Sequence, residues 1–175
     1  GAVLFLSRLS PEKGGQDLLK AWTGILPIQR ELWIGGTGPQ ETSLREQATS
    51  MPGVRFLGFL DNEGKNRAWA NASFAVIPSI VPETFGRVVL EAWARKRPVI
   101  AYRIGALAET IQDGVNGILV EPGNTYELGR AIKTLADSND LSQRMGSAGW
   151  DRLQNNFSQS LWLNRMDNVY ERIFH

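Results

Sequence analysis

FAVIPSIVPETFGRVVLEAWARKRPVIAY, residues 74 to 102, is the stretch that decides the fold. It opens on a short apolar run, Phe74 to Ile77, and breaks at a proline-rich loop from Pro78 to Pro82. Helical periodicity follows from Arg87 to Ala94, and a second apolar run covers Val99 to Tyr102. Short, almost wholly apolar strands are what a parallel sheet covered on both faces requires. Two of them joined by one helix predict a βαβ unit with a right-handed crossover.

The same alternation extends in both directions. Further strands are predicted at Ala2 to Leu6, Glu31 to Ile34, Val54 to Leu57 and Gly117 to Val120. Helices are predicted at Gln16 to Thr23, Glu41 to Thr49, Asn62 to Asn71 and Ala106 to Gln112. The pattern is that of an α/β, Rossmann-like doubly wound parallel sheet of about six strands. After the sixth strand only helices follow, at Thr125 to Ala136, Asp140 to Leu153 and Gln159 to Ile173, with breaks near Asn139 and at Phe157 to Ser158. With 175 residues, 42% of them hydrophobic, the chain has enough apolar surface for one full core, so residues 1 to 175 read as a single domain.

Composition narrows the function. Nineteen basic residues against eighteen acidic ones leave a formal charge of +1, which gives no general attraction to nucleic acid or to an anionic membrane. Any anion site must therefore be local. The chain has no cysteine, which excludes disulfides, thiolate nucleophiles and cysteine-ligated metal centres and is compatible with a reducing cytosol. No apolar run approaches the length of a membrane span, and Ala2 to Leu6 lacks the flanks of a signal peptide.

Glycine and proline gather where strands give way to helices, at Gly14-Gly15, at GGTGP over residues 35 to 39 and at Pro78 to Pro82. Such residues permit tight turns and close approach of backbone to a ligand, and they mark the rim of one cleft. GGTGP matches neither the dinucleotide fingerprint nor the P-loop, which disfavours NAD and ATP. Arg8 and Lys13 follow the first strand, at the carboxyl edge where open α/β sheets bind ligands. Arg can fork two donors onto a diphosphate and Lys can add a point charge, although a solvated surface pair gives the same pattern.

Glu83 and Glu91 lie eight positions apart and bracket Phe85-Gly86, a step that reads as a helix start. Backbone N–H groups from Thr84 to Val88 would face an anion there. From Gly86 to Glu91 a helix rises roughly 7 Å, which suits a diphosphate near one end and a ribose beside Glu91. Glutamates near helix starts are also ordinary solvated residues that favour the dipole. A non-catalytic α/β module binding a sugar phosphate or a protein partner therefore stands as the alternative.

Taken in order, SRLSPEKGG, GGTGP, FLGFLDNEG, IPSIVPETFGRVVLEAWARKRPVIA and DGVNGILVEPGN resemble the nucleotide-sugar-binding half of retaining GT-B glycosyltransferases, the broad family four. The resemblance covers residues 2 to about 174. It implies that Arg8 and Lys13 bind the donor diphosphate. The Phe85-Gly86-Arg87 backbone would lie beside donor sugar and phosphates, Glu83 would hold the transferred sugar and Glu91 the ribose hydroxyls. Leu57 to Leu60 would flank the base, and Gly36 and Gly38 would keep the cleft floor low. It further implies a UDP-sugar donor, with a GDP-sugar as the second choice, no cofactor, no metal and a retaining mechanism. The cellular setting it implies is polysaccharide assembly in the cytoplasm, peripheral at the inner membrane through another domain.

Three positions depart from the family pattern. Ser7 replaces an opening glycine, Gly105-Ala106 a Gly-Gly turn, and Lys96 a common glycine, so that Lys96 is expected to need a left-handed backbone. Arg95-Lys96-Arg97 reads as a cap at a helix carboxyl end. The chain starts in a strand without methionine, and its one histidine is His175. It therefore reads as a carboxyl-terminal domain whose acceptor-binding partner domain precedes it, and alone it is expected to bind donor more readily than to transfer sugar. Helices from about 140 to 175 would pack partly on that domain, exposing some of Trp150, Phe157, Trp162 and Tyr170.

Overall fold

The computed structural model of the chain describes residues 1–82 and 86–157. Six strands, β1 (Ala2–Leu6), β2 (Leu32–Gly35), β3 (Val54–Gly58), β4 (Ala72–Ile77), β5 (Val99–Tyr102) and β6 (Gly117–Val120), form one parallel sheet in the order β3-β2-β1-β4-β5-β6. Between them run α1 (Gly15–Thr23), α2 (Glu41–Ala48), α3 (Asn62–Asn71), α4 (Arg87–Trp93) and α5 (Gly105–Thr110). Helices α6 (Thr125–Asp137) and α7 (Asn139–Phe157) follow β6. This is the Rossmann-like architecture expected from the alternation. Most boundaries fall within two residues of the expected ones, while α7 runs on to Phe157, four residues past its expected end. Strand β4 begins two residues earlier than predicted, because Ala2 pairs with Ala72 before a bulge moves Val3 onto Phe74. A 3-10 turn, Pro11–Lys13, precedes α1.

The period of two along each strand divides the interior into two cores. Val3 and Phe5 of β1 join Trp22 of α1, Leu44 of α2 and Ile132 of α6 on one face. Leu4 and Leu6 turn the other way, onto the layer holding Trp69 of α3, Trp93 of α4 and Leu107 of α5. Strands buried on both faces explain why the runs are apolar throughout rather than alternating.

Side chains fix several helix ends. Asp61 accepts a hydrogen bond from the Gly64 N–H at 2.7 Å and starts α3, and Asn124 accepts from the Glu127 N–H at 3.1 Å and starts α6. Lys96 has φ 53°, the left-handed conformation expected of it. Its N–H reaches the Trp93 carbonyl and the Arg97 N–H reaches that of Ala92, both at 2.9 Å, closing α4 in a Schellman-like turn. Arg95 Nη1 donates to the Glu91 carbonyl at 3.0 Å, so the basic cluster does serve the helix end.

Of the aromatic residues expected to have lost cover, Trp150 lies 5.7 Å from the Lys96 ammonium and the Phe157 ring is 6.5 Å from that of Trp93. Trp162, Tyr170, His175 and the helix predicted over 159 to 173 lie outside the described residues. No helix among the described residues is long and apolar enough to cross a membrane.

Candidate functional site

The strand order sets the position of the site. From β1 the chain proceeds outward to β2 and β3, then returns to the far side of β1 as β4 and proceeds through β5 to β6. The loops leaving β1 and β4 therefore diverge, and a crevice opens at their carboxyl ends, the topological switch point where such sheets bind ligands. A cleft of about 1140 Å³ lies there. Its floor and walls come from the ends of β1, β2 and β4, the loop after β3, and the first turns of α3 and α4.

The loops after β1 and β2 pack backbone against backbone to make one wall. Ser7 N–H reaches the Gly35 carbonyl at 3.1 Å, Leu9 N–H that of Thr37 at 2.9 Å, and Gln40 N–H that of Leu9 at 2.8 Å. Gly36, at φ 129°, makes this possible, since a Cβ there would lie 1.8 Å from the Ser7 carbonyl oxygen. Gly38 is also tight, since a Cβ there would lie 2.4 Å from the Leu9 carbonyl oxygen. Both glycines line the cleft, and the structure adds that they also hold the Arg8 loop in place.

Arg8, Lys13, Gly86, Arg87 and Glu91, all singled out from sequence, line this one cleft. Glu83 and Phe85 lie outside the described residues. Leu57 does not line the cleft. It packs on the core layer of α3 and α4, and the same loop instead contributes Phe59, 78% exposed at the rim, and Leu60.

The sequence reading did not single out Thr37, Asp61, Asn62, Lys65 and Ser79, which the fold brings to the same cavity. Lys65 lies three residues after Asn62 on the same face of α3, but only the order of the strands turns that face to the cleft. Among the described residues, four basic side chains, Arg8, Lys13, Lys65 and Arg87, meet two carboxylates, Asp61 and Glu91. A chain with almost no net charge thus concentrates positive charge in one crevice, where field lines focus.

The rim is held from below. Glu12 accepts from Ser10 Oγ at 2.5 Å, and its carbonyl accepts from the Ile80 N–H at 2.9 Å and Ser79 Oγ at 3.2 Å. This ties the turn carrying Lys13 to the loop leaving β4. The Ser10 hydroxyl holds the Glu12 carboxyl below its ordinary range, helped by a backbone hydrogen bond and by the charges of Lys13 and Arg8. Glu91 receives the Trp69 indole N–H on Oε2 at 3.4 Å. Among the described residues no three His, Cys, Asp or Glu side chains gather as a metal-ligand set.

The family model for glycosyl transferases group 1 matches residues 1–138, ending at the close of α6. The chain is 34% identical over 175 residues to the phosphatidyl-myo-inositol mannosyltransferase of Mycobacterium leprae, covering 98% of this chain and 46% of that one. It is 33% identical over 164 residues to the glycogen synthase of Mycobacterium tuberculosis, covering 89% and 38%. Among solved structures, Anabaena HepE in complex with UDP and glucose superposes with a TM-score of 0.86 at 28% identity, covering 97% of this chain and 48% of that one. The C-terminal domain of the group 1 protein LpcC from Francisella tularensis superposes with a TM-score of 0.79 at 26% identity, covering 91% and 86%. The chain thus spans less than half of those relatives and most of an isolated C-terminal domain. Family match, sheet order and cleft agree: the chain belongs to the group 1 glycosyltransferases and has the architecture of one half of a GT-B enzyme.

Proposed function

We propose that this chain is the donor-binding half of a retaining glycosyltransferase, moving a hexosyl unit from a nucleoside diphosphate sugar to an acceptor held by a preceding domain. Alone, it binds donor without completing transfer. The observation that carries this reading is the convergence of Arg8, Lys13 and Glu91 on one crevice at the switch point of the sheet. UDP is favoured over GDP as the leaving nucleotide because HepE, with the same fold, holds UDP.

In this reading the sugar's anomeric carbon loses its bond to the diphosphate oxygen through an oxocarbenium-like transition state, and negative charge grows on the departing phosphate. Arg8 and Lys13 meet that charge with preorganised donors, which act most strongly where water is excluded. They take the part a divalent cation has in other phosphate sites, so transfer is metal-independent. Arg87 and the Gly86 backbone flank the diphosphate, Glu91 accepts the ribose hydroxyls, and Phe59 and Leu60 border the base. Glu83 is assigned to the transferred sugar on the family resemblance alone. Retention follows if the acceptor attacks from the face the diphosphate leaves, with that phosphate taking the acceptor proton.

Calorimetric titration of the chain with UDP and GDP tests the proposal. A charge-assisted hydrogen bond contributes about 1.5–3 kcal/mol, so Arg8→Ala, Lys13→Ala and Glu91→Ala should each weaken UDP binding by roughly 10- to 100-fold. Unchanged binding in all three variants would end the assignment.

A further inference from the structure

Trp69 makes a contact that its burial alone does not require. It is 1% exposed, and its indole N–H, a donor with no acceptor capacity, is directed to Oε2 of Glu91 at 3.4 Å. Arg95 covers the indole from outside, its guanidinium carbon 5.8 Å from the ring centre. That guanidinium does not go to the Glu91 carboxylate. It donates to the Glu91 carbonyl at 3.0 Å and to Asn66 Oδ1 of α3 at 2.7 Å. The arrangement holds the indole between α3 and α4 and gives the carboxylate one neutral donor, while the Arg95 hydrogen bonds go to the Glu91 carbonyl and to Asn66. One Oε2 lone pair is taken, and Oε1 with the second Oε2 lone pair stays available to a ligand in the cleft.

On the reading that Glu91 receives the donor ribose, we propose that Trp69 is a positioning residue, held by Arg95, that presents the Glu91 carboxylate to the two ribose hydroxyls. A carboxylate on a flexible side chain must be ordered before it can accept two hydroxyls, and a buried donor at its back supplies that order before the ligand arrives. The consequence is selectivity rather than gross affinity: the cleft tells a ribonucleotide from one lacking ribose hydroxyls through a residue that does not line it.

The test is the ratio of dissociation constants for UDP and 2′,3′-dideoxy-UDP, measured by calorimetry on the 175-residue chain. The parent should prefer UDP, and Glu91→Gln should remove most of the preference. Trp69→Phe, which keeps a ring and deletes the N–H, should lower it at least fivefold. Arg95→Met, a surface change, should lower it about twofold or more, and it decides the matter if Trp69→Phe does not fold. An equal loss of affinity for both nucleotides, with the ratio kept, marks a merely structural role for Trp69 and overturns the inference. Failure of the underlying ribose reading looks different: neither nucleotide binds, or the ratio survives Glu91→Gln.

Discussion

Replacing Gly36 by alanine should damage the site without touching any charged group. At φ 129° an L side chain is strained, at about 1–3 kcal/mol. The added Cβ would sit 1.8 Å from the Ser7 carbonyl oxygen, where carbon and oxygen need well over 3 Å, so the loops after β1 and β2 must part by roughly 1.5 Å. That movement strains the Ser7 to Gly35, Leu9 to Thr37 and Gly36 to Gly58 backbone hydrogen bonds, each contributing about 1 kcal/mol. With two of the three lost, the expected destabilisation is about 3–5 kcal/mol. Gly123→Ala is the internal comparison, since it shares a positive φ of 79° but meets nothing within 4 Å, and should lose only about 1 kcal/mol. Urea unfolding followed by circular dichroism measures both. If Gly36→Ala comes within 1 kcal/mol of Gly123→Ala, the close loop packing assigned to this wall is wrong.

Other perturbations give readouts of different kinds. At Lys96, glycine should be more stable than alanine by about 1 kcal/mol by urea unfolding, against their usual helical order, because glycine relieves the left-handed backbone; the reverse order would refute strain there. Tyr102 is fully buried, and burial first, then the 2.8 Å hydrogen bond to Asp17, raises its hydroxyl above the ordinary value of 10.0. The folded state therefore holds a proton that the unfolded chain releases, so stability is intact below about pH 10 and falls as pH rises beyond it. Tyr102→Phe should flatten that alkaline slope in unfolding titrations run from about pH 9 upward, and an unchanged slope would remove Tyr102 as its source.

Much of this was legible from residue pattern, and the exceptions have physical reasons. Strands β1, β5 and β6 begin and end as the apolar runs do, because burial on both faces leaves no polar residue to blur the boundary. At β4, Ala72 and Ser73 carry no strand signal of their own. Pairing with Ala2 across a bulge, a tertiary event, draws them in. Arg8 and Lys13 follow a strand and Glu91 sits within a helix, places where solvated charges are also common, and it is the fold that brings the three to one cleft. Lys65, Asp61 and Ser79 were passed over because their membership of the cleft depends on which strands are neighbours. The order β3-β2-β1-β4 is not written in local periodicity. Leu57 looked like part of the base wall, yet an apolar residue one step before the loop turns inward. Phe59, two residues further on, is the exposed one. Lys96 shows the opposite case, where a single departure from family pattern foretold a backbone conformation that the structure has.

The most direct test of the account is a crystal structure of this chain with UDP bound. The account predicts one nucleotide in the crevice between the ends of β1 and β4, its diphosphate oxygens within hydrogen-bond reach of Arg8 and Lys13 and its ribose hydroxyls on Glu91. A nucleotide seated elsewhere, or seated there with Glu91 turned away from the ribose, would contradict it.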